Sequence, residues 1–284
     1  MPGRLNVYPP DSAAMVRLLE DGTTYRIGRS SECEMRIDHP SVSRFHAELE
    51  RRDSLWQLHD TGSKNGLRVD GHLVLQAEFP KSGWFSIGDV HCSFELLDAA
   101  QAVAHRIAGR SRRDISRALS SQLQPGAGIS SLIQQTLDVV LQLSGLERGF
   151  VLYAPVGERL RVRASRGLRA VDLAGNHFAG SASAVERALA RGKSVVCCDT
   201  TESPWLAVRP SVRLGEIRAI VCVPFSMNGQ STGAIYADSR KPGPPVTELD
   251  LELVENIAMH ASTAIDAARL EDPAADNART PAPA

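Results

Sequence analysis

The sequence predicts two domains of different class: an all-β sandwich, then an α/β domain built on an antiparallel sheet. Three observations carry this. Between Val16 and Leu97, short runs of alternating apolar and polar residues follow one another, separated by Gly, Asp and Ser. From Asp98 the alternation stops and a stretch rich in Ala and Arg takes over. Beyond Ser130, helical periodicity and apolar strands interleave. A length of 284 residues suits two medium domains. With 43% hydrophobic and 23% charged residues, burial can outweigh chain entropy. The expected division is 1–98 for the sandwich, 99–128 for an Arg-rich, partly helical linker, 129–270 for the second domain and 271–284 for a disordered tail.

In the first domain the strand candidates are MVRLLEDG, TTYRIG, EMRID, HAELERR, LWQLHD, GLRVDG, GWFSIG and VHCSFELL. Asp21-Gly22 and Asp70-Gly71 fit tight hairpin turns, where a positive φ is needed. The linker holds Arg106, Arg110, Arg112, Arg113 and Arg117 against a single acid, Asp114. It reads either as a solvated helical face or as a docking patch for nucleic acid or an acidic partner. Gly109 and Ser111 weaken a continuous helix there, and Pro125-Gly126-Ala127-Gly128 ends it.

In the second domain, SLIQQTLDVVLQLSG spaces its apolar residues as an amphipathic helix requires. FVLYAP and RLRVRAS read as strands, and SAVERALARG as a helix stopped at Gly192. SVVCCD, AIVCVPFS and STGAIYAD are further strands. Thr247 with Asp250 marks a helix start, and Leu251, Val254, Ile257, Ala258, Ala261 and Ile265 share one face beyond it. The loop 199–215 is long enough to serve as a lid.

The formal net charge of −1 supplies no global pull toward nucleic acid or an anionic membrane. Five cysteines without C-x-x-C or zinc spacing, no signal-like apolar start and no spanning run give the expectation of a reduced, cytoplasmic protein. No metal ligand set is legible. His177 and His260 have no metal partners in sequence and are expected as core or surface residues.

The segment SVSRFHAEL, residues 41–49, poses a choice between a catalytic Ser–His pair and an anion-gripping loop. Ser43 and His46 are three apart at the mouth of a strand, which places them on opposite faces, and no nucleophile elbow is present. Anion binding has more support. Ile27-Gly28-Arg29-Ser30, Ser41 to His46, and Asp60 to Gly66 each lie between strands. Together they offer guanidinium, ammonium, hydroxyl and amide donors. Asn65-Gly66 is also an ordinary turn signal.

The order G-R, S-R-x-H-A, D-x-x-S-x-N-G resembles the forkhead-associated (FHA) domain over residues 5–97. That resemblance implies a β-sandwich whose loops bind phosphothreonine in partner proteins. It implies that Arg29 and Ser43 contact the phosphate and that Arg44 adds charge or a backbone donor. Asn65 would fix the peptide main chain, and Gly28, His46 and Gly66 would brace the loops. Lys64 stands where some members carry a hydroxyl residue, which either adds charge or weakens the preference for threonine over serine.

VCVPFSMNGQSTGAIYADS, with a turn at Asn228-Gly229, resembles the GAF domain, a sensing and dimerisation module related to PAS domains. Cyclic-nucleotide and bilin signatures are missing. Cys198, Trp205 and Phe225 are the expected pocket residues, for an unidentified small ligand and no defined cofactor. Trp205 reads alternatively as a loop anchor. The framing helices can pair across a homodimer or pack on their own sheet.

The expected function is that of a non-enzymatic bacterial signalling adaptor. Its partner would be a phosphothreonine protein, either a Ser/Thr kinase substrate or the kinase itself. A GAF-type thiol reductase and a transcription regulator using the Arg-rich linker are the rivals. Membrane and nucleic acid are not expected as partners.

Overall fold

A computed structural model describes residues 1–121, 123, 128–155, 158–168, 180–227 and 230–271. It divides into two compact units, Met1–Arg110 and Ser111–Ala284. The division falls inside the segment expected as a linker.

The first unit holds eleven strands, β1 (Gly3–Tyr8), β2 (Met15–Leu19), β3 (Tyr25–Gly28), β4 (Met35–Arg36), β5 (Ala47–Arg52), β6 (Leu55–Asp60), β7 (Leu67–Val69), β8 (His72–Val74), β9 (Gln76–Phe79), β10 (Ser82–Ile87) and β11 (Val90–Leu96). They form two sheets, ordered β2-β1-β11-β10-β7-β8 and β4-β3-β5-β6-β9. The expected all-β sandwich is borne out. Alternation decides what is inside. Leu5 and Val7 of β1, Leu49 of β5, and Trp56 and Leu58 of β6 are fully buried. Rings fill the centre, with Trp56–Phe94 centroids 5.7 Å apart and Phe79–Phe94 centroids 5.3 Å apart.

One of the two expected hairpins forms. Asp70 and Gly71 take φ of 50° and 80° and join β7 to β8, with Val69 opposite His72. Asp21-Gly22 is a turn but not a hairpin. It joins β2, which pairs with β1, to β3, which pairs with β5 in the other sheet. A positive φ at Gly22 suits a corner between sheets as well as a hairpin.

The Arg-rich segment departs further from expectation. It is one continuous helix, α1 (Ala99–Ser120), running through Gly109 and Ser111. A central glycine costs a helix about 1 kcal/mol, which the surrounding Ala, Arg and Ile and the burial of Ala102 can offset.

The second unit contains α2 (Ile129–Ser144), β12 (Arg148–Tyr153), β13 (Arg161–Arg166), α3 (Ala182–Arg191), β14 (Val195–Cys197), α4 (Pro210–Leu214), β15 (Ala219–Met227), β16 (Gln230–Ser239) and α5 (Glu248–Glu271). Its sheet is antiparallel, in the order β13-β12-β16-β15-β14. The expected α/β class holds. The loop 199–215 contains the short helix α4, which the sequence reading did not place. Asn228-Gly229, Pro125 to Ala127, His177 and residues 272–284 lie outside the described residues.

Helix α5 begins as the Thr247/Asp250 spacing predicts. The Asp250 N–H donates to Thr247 Oγ1 at 3.3 Å, and the Thr247 N–H donates to Asp250 Oδ2 at 2.9 Å. Helices α2 and α5 pack on one another and on the sheet, burying Leu137, Val140, Val254, Ile257 and Ala261. The opposite face carries Phe150, Cys222 and Tyr236, covered by Ala184, Val185 and Ala188 of α3 and by Leu206 and Val212.

A charged pair crosses that second face. Arg148 and Asp238 stand opposite each other in the β12–β16 register, and both are buried. Arg148 Nε and Nη2 donate to the two carboxylate oxygens. Tyr236, two residues before Asp238, accepts the Ser181 N–H at 3.0 Å. Breaking such a pair leaves a buried charge alone. We expect Asp238→Asn to destabilise this unit by about 3–5 kcal/mol in urea unfolding, and Arg148→Met to cost a similar amount. A loss below about 1 kcal/mol would show that the pair is solvated in the native state.

Helix α4 ends on a non-glycine residue in the left-handed region, Glu216 at φ 51°. Its N–H donates to Arg213 O at 3.2 Å, and the Ile217 N–H donates to Val212 O at 3.0 Å. Glu216→Gly is expected to raise stability by about 0.5–1 kcal/mol, read as a higher urea midpoint at unchanged slope.

Candidate functional site

The three motif-bearing connections of the first unit are tied together mainly through backbone. The Arg29 N–H donates to Ser43 O at 2.9 Å, and the Ser30 N–H to Arg44 O at 3.0 Å. These bonds clamp the β3–β4 loop onto the β4–β5 loop. Gly28 allows the approach, since a Cβ there would stand 2.2 Å from Arg44 O.

His46 joins the second loop to the third. Its Nδ1 accepts the Ser43 N–H at 3.1 Å, and its Nε2 faces Gly66 O at 3.1 Å. The carbonyl can only accept, so Nε2 carries the proton and the ring is neutral. The side chain is fully buried. Burial lowers its pKa, opposed by the Gly66 carbonyl and by Asp60, whose Oδ2 lies 4.0 Å from Nε2. Gly66 itself needs φ of 76°.

Asp60 and Ser63 shape the third loop. Asp60 accepts the N–H of Gly62 and of Ser63, each at 2.8 Å, and the Ser63 hydroxyl at 2.6 Å. Burial raises its pKa, but these hydrogen bonds outweigh it and the net shift is downward. Ser63 Oγ accepts the Gly66 N–H at 2.9 Å. Ser43 Oγ accepts the Lys64 N–H at 2.9 Å, which leaves its own proton free to donate. Asn65 Nδ2 donates to Ser41 O at 2.7 Å, fixing the amide at the rim.

The result is a groove of about 550 Å³ whose wall includes Arg29, Ser43, Arg44, Lys64 and Asn65. All five residues named for ligand contact therefore come together, while Gly28, His46 and Gly66 sit behind them. Among the wall residues that the sequence reading did not name as contacts are Thr61 and the exposed Phe45. Both lie inside the quoted motifs but carry no charge or turn signal. Asp60 and Ser63 were visible only as motif letters; their role as a brace is a product of the fold.

The electrostatics of the groove are lopsided. Arg29, Arg44 and Lys64 are exposed, and none has an acidic partner among the described residues. No acid lines the wall. Elsewhere in the same unit Arg26 pairs with Glu34, Arg36 with Asp38, Arg51 with Asp21, and Arg52 with Glu50. Three uncompensated cations beside a hydroxyl and an amide are suited to a multiply charged anion.

The residues expected to line a pocket in the second unit do not gather. Phe225 stacks on Tyr153, centroids 6.1 Å apart, and lines a groove of about 640 Å³ beside α5 with Val223 and Met259. Trp205 packs against the core on the other face of the sheet, with Arg187 over its ring at 4.3 Å. Cys198 Sγ lies 3.5 Å from Val246 O. The physical reason is alternation. Cys222 and Phe225 are three apart on one strand and so face opposite ways.

Cys197 and Cys222 are buried, and burial pushes the Cys222 thiol far above its ordinary range. Four of the five linker arginines face acids: Arg106 with Glu20, Arg112 with Asp250, Arg113 with Glu252 and Arg117 with Asp114. Among the described residues no three His, Cys, Asp or Glu side chains gather to hold a metal ion, and no helix is long and apolar enough to cross a membrane.

Comparison with known proteins finds two families in the chain. The FHA domain family matches residues 25–96, and the GAF domain family matches residues 126–266. An oxoglutarate dehydrogenase inhibitor of Corynebacterium diphtheriae is 36% identical over 75 residues, covering 23% of this chain. The chain spans about half, 52%, of that relative's length. Among solved structures, the Mycobacterium tuberculosis Rv1747 FHA-1 domain is 27% identical with a TM-score of 0.30, covering 34% of this chain and 97% of that one. A GAF domain/HD domain protein from Geobacter sulfurreducens is 16% identical with a TM-score of 0.41, covering 53% of this chain and 98% of that one. The chain thus carries an FHA domain followed by a GAF domain.

Proposed function

We propose that the chain is a signalling adaptor that docks a phosphothreonine-bearing segment of a partner protein in the groove of its FHA domain. One observation carries the reading: Arg29, Arg44 and Lys64 converge on a groove with no acid to neutralise them. A phosphothreonine carries close to two negative charges and three acceptor oxygens, which that array can satisfy. Ser43 adds a hydroxyl donor, and Asn65 presents its amide where a peptide backbone would pass. The partner in this reading is a substrate of a Ser/Thr kinase or the kinase itself.

For the GAF domain the proposal keeps a sensory or self-associating role and no chemistry. The burial of Cys197 and Cys222, which raises the Cys222 thiol, favours this over a reductase that works through either, because the thiolate is the reactive form. The paired linker arginines favour it over a DNA-binding role, because charges already neutralised release fewer counterions from a phosphate backbone.

The test is a fluorescence anisotropy titration of the full chain with phosphothreonine peptides and their unphosphorylated counterparts. Arg29→Ala is expected to lose about 2–5 kcal/mol of phosphopeptide binding, at least a tenfold rise in Kd, with an unchanged unfolding midpoint. Full affinity in that variant would remove Arg29 from the site.

His46→Ala separates bracing from contact. It is expected to cost about 2–4 kcal/mol of stability as well as binding, because two hydrogen bonds and a filled volume go together. The imidazole also sets a pH dependence. Its folded pKa is lowered, so below the unfolded value near 6.5 the unfolded chain takes up the proton first. The stability held by the neutral ring is complete above that pH and declines as the pH falls from there toward the folded pKa. Urea unfolding across this window should show the decline in the wild-type chain and a flatter profile in His46→Ala.

A further inference from the structure

We propose that His39 is a positioning residue for the groove: its neutral ring holds Ser41, and through Ser41 the Asn65 amide, so that docking weakens when the ring takes up a proton. The inference rests on the phosphopeptide reading of the groove and adds a residue that stands behind its wall.

Three connections meet at Ser41. Its carbonyl accepts the Asn65 side-chain amide at 2.7 Å, which leaves Asn65 Oδ1 and one N–H for a ligand. Its hydroxyl oxygen accepts the Asp89 N–H at 2.9 Å, from the turn between β10 and β11. That turn is pressed onto Ser41, since a Cβ on Gly88 would stand 2.6 Å from Ser41 O. The Gly88 N–H also donates to Gly66 O at 3.3 Å, one residue beyond Asn65. Where the Ser41 backbone sits therefore decides where the Asn65 amide sits.

His39 fixes that backbone. The Ser41 N–H faces His39 Nδ1 at 3.3 Å, and an amide N–H can only donate. Nδ1 is thus the bare nitrogen, and Nε2 carries the proton. The Ser41 hydroxyl, 2.8 Å from Nδ1, then donates to it as well. One ring nitrogen receives both donors. A protonated ring has no lone pair to offer, so its Nδ1–H would stand against the Ser41 N–H, and the hydroxyl would have to reverse. The charged and titratable groups on the segments that meet here are Asp38, paired with Arg36 at 3.6 Å, the exposed Asp89, Arg68, which donates to Asn65 O at 3.0 Å, and His46 with the groove cations Arg29, Arg44 and Lys64. Among the described residues none of these is hydrogen-bonded to the His39 ring, and Ser41 depends on Nδ1 itself.

The test compares pH profiles of binding. The full chain and its His39 variants are titrated by fluorescence anisotropy with one phosphothreonine peptide between about pH 8 and about pH 5.5. The second ionisation of the phosphate, near pH 6, and the buried His46 act on every protein alike and cancel in the ratio of variant to wild type. Wild-type affinity should fall about fivefold further across this range than that of His39→Asn, whose Oδ1 can accept the Ser41 N–H throughout. At the upper end of the range His39→Leu should raise Kd about fivefold, and His39→Asn should restore the wild-type value. A side chain that only filled space would give Asn no advantage over Leu and no excess pH dependence.

Coincident profiles for wild type and His39→Asn overturn the role, and so does wild-type affinity in His39→Leu. The Asn comparison decides by itself if His39→Leu fails to fold. No phosphate-dependent binding at the upper end, with Arg29→Ala indistinguishable from wild type, would instead remove the docking reading and this role with it.

Discussion

A neutral, fully buried imidazole is the constraint on which the groove depends. His46 accepts from one loop and donates to another, so the Ser43 backbone and the Gly66 carbonyl are held at a fixed separation. The remaining ties are also made by groups that carry no exposed charge: backbone amides, the Ser43 and Ser63 hydroxyls and the Asn65 amide. Scaffold and recognition are thereby divided between different atoms. Backbone, neutral side chains and the largely buried Asp60 carboxylate set the loop geometry, and the charged ends of Arg29, Arg44 and Lys64 stay unused. Were those cations needed to hold the loops, a ligand would have to compete with the fold for them.

The GAF domain is organised by strand alternation. Its sheet has one face under α2 and α5 and another under α3 and the loop that carries α4. Each residue belongs to one layer or the other, and this separates Trp205 from Phe225. The apolar stripes of α2 and α5 are spent on their own sheet and on each other. What α5 leaves exposed is mostly polar, with Glu252, Glu255, His260 and Thr263 beside Met259. The Arg148–Asp238 pair lies on the opposite face, where burial of both groups makes each partner indispensable to the other.

Much of this was legible in the sequence, for reasons that can be stated residue by residue. Strands of the sandwich alternate with a period of two, and Leu5, Val7, Trp56 and Leu58 fall inside as that period requires. The start of α5 was legible because capping is local chemistry between Thr247 and Asp250. The groove was legible because Arg29, Ser43 and Asn65 occur in three motifs of one chemical kind. Non-local features were not legible. Asp21-Gly22 reports a positive φ but not which sheet the next strand joins. Gly109 reports a local helix penalty but not the burial of Ala102 that helps to offset it. Thr61 and Phe45 gain meaning only when three loops converge.

The three cations also explain why the fold can keep such a site without a counter-charge. Arg29, Arg44 and Lys64 are all exposed, so water and salt screen their mutual repulsion over a Debye length of about 8 Å. A dry site with the same charges would be expensive, since desolvation and repulsion would add. In the proposed docking an anion would displace part of the solvent from an otherwise wet groove. Only then does the local dielectric fall and each charge-assisted bond strengthen. Solvated cations and their readiness to pair with an anion are therefore consequences of the same geometry. The backbone ties through Gly28, Ser43 and Gly66 fix the loops without drawing on those charges.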